Sequence, residues 1–144
     1  MKPFFLSLII LCFLSCGNKE YDKRLAETIT RIENVSSKGD FMLMWINTAT
    51  DYGVLKEIGD DHKRYSMEGD VILDSIGNDI KFLKETGEDK ESFKAILDLY
   101  GKTKSFFENA KDVHRTPSAY SESVSANSRE LKSEIETFKI KYLE

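Results

Sequence analysis

Side chains able to bind a metal are densest near the middle of the chain. Residues 60–64 read Asp-Asp-His-Lys-Arg, and Glu68, Asp70 and Asp74 follow shortly after. On a helix Asp70 and Asp74 would share a face, which a pair of metal ligands requires. The chain nevertheless contains no HExxH motif, no EF-hand loop and no ExxH pairs of the di-iron type. We therefore interpret the cluster as a solvated charged face and predict no metal site.

A catalytic site would need a nucleophile, a base and a group that orients the base. Serines are numerous, but none lies in a GxSxG elbow. His114 falls at the end of a predicted helix, where the helix dipole favours an imidazolium, so we interpret it as a cap. We predict no catalytic residue, no cofactor and no enzymatic activity.

A third group of interest is apolar. Residues 41–46 read Phe-Met-Leu-Met-Trp-Ile, without a polar side chain. Methionine and aromatic side chains adapt to varied shapes, so residues 41–45 and Tyr52 could line a cavity for a small ligand. A helix that is apolar all round must also be covered by its neighbours. We therefore predict that the run occupies the centre of the core, with the ligand cavity as the alternative.

The N-terminal residues differ in composition from the rest. Residues 1–3 carry one positive charge, and in residues 4–14 only Ser7 is polar. This run is shorter than the roughly 20 apolar residues that span a bilayer, and it is typical of a signal peptide. Residues 13–17 read Phe-Leu-Ser-Cys-Gly, with an apolar and a small residue before the cysteine. The pattern resembles the lipobox of bacterial lipoprotein precursors.

The resemblance covers residues 1–16 and implies a processing route. In such precursors the cysteine sulfur receives a diacylglycerol group, the signal is cut off before the cysteine, and the new amino group is often acylated. For this chain it implies residues 1–15 as the signal peptide, Cys16 as the lipidated first residue and a lipid-anchored location on the exported side of a membrane. Aspartate after the cysteine retains enterobacterial lipoproteins at the inner membrane, so Gly17 favours the outer membrane where the cell has one.

The remainder is one acidic domain. Of the 144 residues, the 129 from Cys16 onward carry 20 basic and 25 acidic side chains, a net charge of −5. We predict a single domain at residues 21–144 and no nucleic-acid partner, because an acidic chain is a poor phosphate-binding surface. Cys12 leaves with the signal, so the domain must fold without disulfides. Residues 16–20 form a tether of at most about 18 Å, which keeps the domain close to its membrane.

Apolar residues of the domain recur at helical spacing, and no run alternates as a strand does. We divide the chain into five segments: A (20–37), B (41–58), C (65–83), D (93–114) and E (120–142). The predicted core faces outside segment B are Tyr21, Leu25, Ile29, Ile32 and Val35 in A; Tyr65, Gly69, Ile72, Ile76, Ile80 and Leu83 in C; Phe93, Ile96, Leu97, Tyr100, Phe107, Ala110 and His114 in D; and Tyr120, Val124, Leu131, Ile135, Phe138 and Tyr142 in E.

Glycine, proline and capping residues predict the segment boundaries. Residues 36–40 predict that one helix ends, with Gly39 as a left-handed C-cap, and that the next helix begins with Asp40 as its N-cap. Segments B and C keep one period, so they form either one long, possibly bent helix or two helices with a turn near Gly59 or Gly69, and we favour two. Residues 86–89 (Thr-Gly-Glu-Asp) give a C-cap glycine and an acidic start, and Thr116-Pro117 gives a strong helix start. The predicted fold is all-α, a bundle of four to five helices.

These features predict a membrane-anchored lipoprotein whose non-enzymatic helical domain binds an envelope component, in an exclusion, immunity or assembly-type role. The partners expected are the membrane, through the lipid on Cys16, and an envelope protein. The alternative is a small-ligand-binding or carrier lipoprotein. A hydrolase with an unfamiliar site is the third hypothesis.

Overall fold

The computed structural model describes the backbone of residues 3–48, 52–112 and 118–144, and the side chains of 19–44, 59–112 and 122–144. Helix α1 is Pro3–Thr48, α2 is Tyr52–Gly87, α3 is Glu91–Asp112 and α4 is Ser118–Tyr142. No strand occurs in these three backbone ranges. The prediction of an all-α bundle is confirmed, with four helices.

The helices alternate in direction along the bundle. At one end, the Tyr21 hydroxyl lies 3.0 Å from the Ser92 hydroxyl, which joins α1 to the first turn of α3. Towards the other end, Lys132 of α4 lies 2.5 Å from Asp40 of α1. Helices α1 and α3 each pack against all the other helices, whereas α2 and α4 make little contact with each other. The core therefore lies along α1 and α3.

The predicted faces of segments A and E are confirmed. The five apolar residues predicted in segment A are all at most 2% exposed. They recur at steps of three and four, which places them on one side of a helix. In segment E, Val124, Leu131, Ile135 and Phe138 are buried and Tyr142 is partly buried, while Tyr120 lies outside the described side chains.

The predicted break at residues 36–40 is wrong, because α1 runs through it. Gly39 is buried in the helix interior, and a Cβ placed there would overlap the ring of Phe106. The glycine thus lets α3 approach α1 closely, and it has no left-handed backbone angle. Local sequence alone cannot distinguish this use of glycine from a helix end.

The predicted turn near Gly59 or Gly69 is also wrong. Helix α2 runs through both glycines, and the chain passes from α1 to α2 between Thr48 and Tyr52, within segment B. Gly69 faces the Phe107 ring, which fills the space of a Cβ. Gly59 is exposed with open space around it.

The boundary at residues 86–89 is confirmed, since α2 ends at Gly87 and α3 begins at Glu91. The Lys90 carbonyl accepts hydrogen bonds from the amides of Phe93 at 3.1 Å and Lys94 at 3.3 Å, which opens α3. Gly87 is not a left-handed cap. A Cβ on it would lie 2.5 Å from Cε2 of Tyr21, so glycine is needed there for close packing.

The prediction that the whole run 41–46 lies in the core is wrong. Met42 and Leu43 are buried, but Phe41 is 45% exposed and Met44 is 49% exposed. Because α1 continues as one helix, successive side chains at 41–44 point in different directions, and of these four only Met42 and Leu43 lie in the core. The side chains of Trp45, Ile46 and Tyr52 lie outside the described residues.

One position in segment D is also corrected. Leu97 is 43% exposed, whereas Leu99, Thr103 and Phe106 are buried. Thr103 donates its hydroxyl to the Leu99 carbonyl at 2.7 Å, which satisfies a polar group in the core. The true face of α3 is therefore rotated slightly from the predicted one. Helix α4 begins at Ser118, next to the predicted start at Thr116-Pro117, which lies outside the described residues together with His114.

Candidate functional site

Two carboxylates of the predicted polar cluster form ion pairs with lysines of neighbouring helices. Asp70 of α2 accepts from Lys111 of α3 at 2.8 Å, and Glu68 of α2 pairs with Lys38 of α1. The hydrogen bond from Lys38 lowers the pKa of Glu68 below its ordinary value. Within the described part of the chain, no group of three or more His, Cys, Asp or Glu residues could hold a metal ion. These side chains link α2 to its two neighbours.

Asp79 is a buried charge that the sequence analysis missed. It is 3% exposed and faces two arginines of α1. Arg24 donates to Oδ1 at 3.2 Å, and Arg31 donates to Oδ2. Both carboxylate oxygens are therefore engaged, which leaves the group poorly placed to act as a base. The arrangement joins α1 to α2 and satisfies a charge that would otherwise be costly to bury.

The sequence contains a signal for the ion pairs of Asp79 with Arg24 and Arg31. Asp79 sits between Ile76 and Ile80, on the apolar side of segment C, where an acidic residue needs a partner. Arg24 and Arg31 are seven residues apart, which is two helical turns, so both project from nearly the same side of α1. To predict that these two arginines pair with Asp79, one must also know that α1 packs on α2.

Tyr21 lies at the end of the bundle where α3 begins and α4 ends. Its ring is buried, its hydroxyl contacts Ser92, and Lys90 Nζ lies 3.5 Å from the ring centroid. Burial raises the pKa of Tyr21, the bond to Ser92 opposes this, and the charge of Asp22 adds to it. These contacts attach the first residues of the domain to the turn between α2 and α3.

Cys16 lies in the same helix as Tyr21, because α1 includes residues 16–21. At a rise of 1.5 Å per residue, the two Cα atoms are about 7.5 Å apart along the axis. The predicted tether is thus helical, and shorter than its extended limit. The side chains of Cys16 and Gly17 lie outside the described residues.

Grooves of about 200 and 320 Å³ follow the line where α3 packs on α4. Lys102 lies in both, held by Asp98 at 3.1 Å and Glu134 at 2.6 Å. The hydrogen bonds that Lys102 donates to these two carboxylates raise its pKa. Charged side chains thus line grooves that are open to solvent, whereas an apolar ligand favours an enclosed and largely apolar pocket.

Large apolar side chains are exposed in the half of the bundle away from Tyr21. Besides Phe41 and Met44, they include Met67 at 62% and Val71 at 70% exposure, both on α2. Phe41 stacks on Tyr65 with ring centroids 5.6 Å apart. We call Phe41, Met44, Met67 and Val71 the distal apolar residues. Surface residues of this size are typical of sites that contact another molecule when they occur close together.

Comparison of the chain with models of known protein families, with curated proteins and with solved structures found no match. In the described residues, no helix has both the length and the hydropathy needed to cross a membrane.

Proposed function

We propose that the protein is a bacterial lipoprotein, exported by residues 1–15 and acylated on Cys16. The lipobox-like sequence at residues 13–17 supports this. So does the position of Tyr21, because a fully buried residue follows the cysteine after only four others. The lipid then holds the bundle directly against the membrane, the outer one where the cell has it, as Gly17 favours. Two or three acyl chains are enough for stable anchoring.

We propose further that the helical domain is not an enzyme and binds an envelope component near the bilayer, in an exclusion, immunity or assembly-type role. The observation that carries this proposal is a tightly packed core combined with the exposed distal apolar residues. Glycines at 39, 69 and 87 stand where no side chain fits, so the helices approach each other closely. Such a core favours surface binding over an internal carrier cavity.

Fatty-acid labelling tests the anchor. Cells that express the chain are grown with an alkyne-bearing palmitate, and the label is measured on the purified protein. We expect label on the natural sequence and on Cys12→Ala, and none on Cys16→Ala. Label on Cys16→Ala, or none on the natural sequence, would contradict acylation at this residue.

Photo-crosslinking in living cells tests the binding role. A crosslinking amino acid is placed at Met67 or Val71, and at Lys81 as an exposed control on the same helix. We expect an adduct with one envelope protein, identified by mass spectrometry, from positions 67 and 71 and not from 81. Absence of a specific adduct at both distal positions would count against a partner at this surface.

A further inference from the structure

Two further aliphatic side chains are exposed at the opposite end of the bundle. Ile140 is 64% exposed and Leu143 is 37% exposed, one helical turn apart near the end of α4. Lys141, between them, lies 2.6 Å from Glu91 in the first turn of α3. Since Ser92 contacts Tyr21, the end of α4 lies near the level of Tyr21.

This end of the molecule is the part that the proposed anchor brings to the bilayer. Cys16 is about 7.5 Å from Tyr21 as a helix and at most about 18 Å as an extended chain. The headgroup layer on each side of the hydrocarbon is itself about 5–7 Å thick. Phe41, by contrast, lies 20 residues beyond Tyr21 in α1, about 30 Å farther along the helix. Ile140 and Leu143 are therefore the exposed aliphatic pair nearest to the lipid.

The charge around this end suits a phospholipid surface. Residues 19–23, 84–91 and 139–144 together carry six basic and seven acidic side chains. They are close to balance, although the domain as a whole has a net charge of −5. Repulsion from anionic headgroups is therefore small, and so is attraction, so a contact with lipid depends on apolar side chains.

We propose that Ile140 and Leu143 enter the headgroup region of the bilayer that holds Cys16, and so give the bundle a second point of attachment besides the lipid. The inference rests on the proposed acylation of Cys16. A lipid anchor alone leaves the domain free to tilt, whereas two contacts fix which side faces the membrane. The distal apolar residues are then directed away from the bilayer.

The test uses the acylated protein after its signal peptide has been removed, with a fluorescent label on an introduced cysteine. Because the Cys16 sulfur then carries lipid, a cysteine introduced by Ile140→Cys, Leu143→Cys or Val71→Cys is the only free thiol. Val71 is the matched control, an exposed aliphatic residue in the distal half. Each protein is labelled with an environment-sensitive dye and reconstituted in phosphatidylethanolamine and phosphatidylglycerol vesicles that contain a shallow nitroxide lipid. The mass of each protein reports acylation independently.

We expect the nitroxide to quench the labels at 140 and 143 at least about twofold more than the label at 71, as for side chains at the headgroup boundary. Equal quenching at all three positions, high or low, would overturn the inference while leaving acylation intact. A protein bound at this surface would shield the labels at 140 and 143 both from iodide in water and from the nitroxide lipid. That result would also overturn the inference. A mass without acyl groups would overturn the anchor, and this inference with it.

Discussion

Gly69 lies in the interior of α2, and the Phe107 ring occupies the space that a side chain would need. Gly59 is in the same helix but has no atom within 4 Å of a Cβ. The two positions share secondary structure and differ only in tertiary surroundings. Alanine substitutions at the two positions therefore distinguish the cost of steric overlap from the gain in helix propensity.

We expect Gly69→Ala to lower the free energy of unfolding by about 1–2 kcal/mol, because overpacking exceeds the gain in propensity. Gly59→Ala should raise it by up to about 1 kcal/mol, because alanine is the better helix former. Urea unfolding followed by circular dichroism measures both. A Gly69→Ala protein as stable as the natural one would mean that α3 does not approach α2 so closely.

Asp79 offers a second test at the level of one residue. Asp79→Asn removes the charge that Arg24 and Arg31 share, and leaves both guanidinium groups without their buried partner. Because each arginine is about one-third exposed, solvent reduces the effect, and we expect a loss of about 1–3 kcal/mol. Exposed Asp74→Asn is the control and should change stability by no more than about 0.5 kcal/mol. Equal effects of the two variants would contradict the role of Asp79.

At the scale of the helices, periodicity was sufficient to find most of the buried faces. Steps of three and four located the core residues of α1 and α4 without knowledge of their neighbours. The boundaries at Gly39 and Gly69 could not be found in this way, because a glycine that ends a helix and one that admits a ring look alike locally. The distinction depends on Phe106 and Phe107, which lie far away in sequence.

The junction between α1 and the turn from α2 to α3 should respond to alkaline pH. The folded protein raises the pKa of Tyr21 above its ordinary value of 10.0, mainly by burial, so it binds the phenol proton more tightly than the unfolded chain does. This contribution to stability is present below pH 10 and is lost as the pH rises above it. We expect the free energy of unfolding to fall less steeply above about pH 10 in Tyr21→Phe than in the natural protein.

Thermal unfolding at a series of alkaline pH values measures this difference. The lysine ion pairs and the other five tyrosines are common to both proteins, so their contributions cancel in the comparison. Below pH 10, Tyr21→Phe should be about 1 kcal/mol less stable, because the contact with Ser92 is lost. Parallel pH profiles for the two proteins would mean that Tyr21 titrates as an exposed phenol does.

At the scale of the whole molecule, the proposed lipidation site can be inferred from a local sequence pattern, whereas the ion pairs of the buried Asp79 cannot. The pattern around Cys16 is local, so a short stretch of residues suffices to propose it. Asp79 and its arginines meet only because α1 packs on α2, so their pairing required the fold. The proposed binding surface also depends on the fold, because only the structure shows that Met67 and Val71 are exposed.

The short distance between Cys16 and Tyr21 leads to a test of the entire arrangement. A flexible Gly/Ser insertion of 20 residues after Gly17 adds about 25 Å of reach, so the domain no longer stays at a fixed height above the bilayer. We expect fatty-acid labelling and helix content to be unchanged, and the crosslinked adduct from position 71 to decrease severalfold as the partner's effective concentration falls. A two-residue insertion at the same place is the control and should retain most of the adduct. Full crosslinking with the long insertion would show that the partner can be reached far from the membrane, contrary to a binding role close to the bilayer.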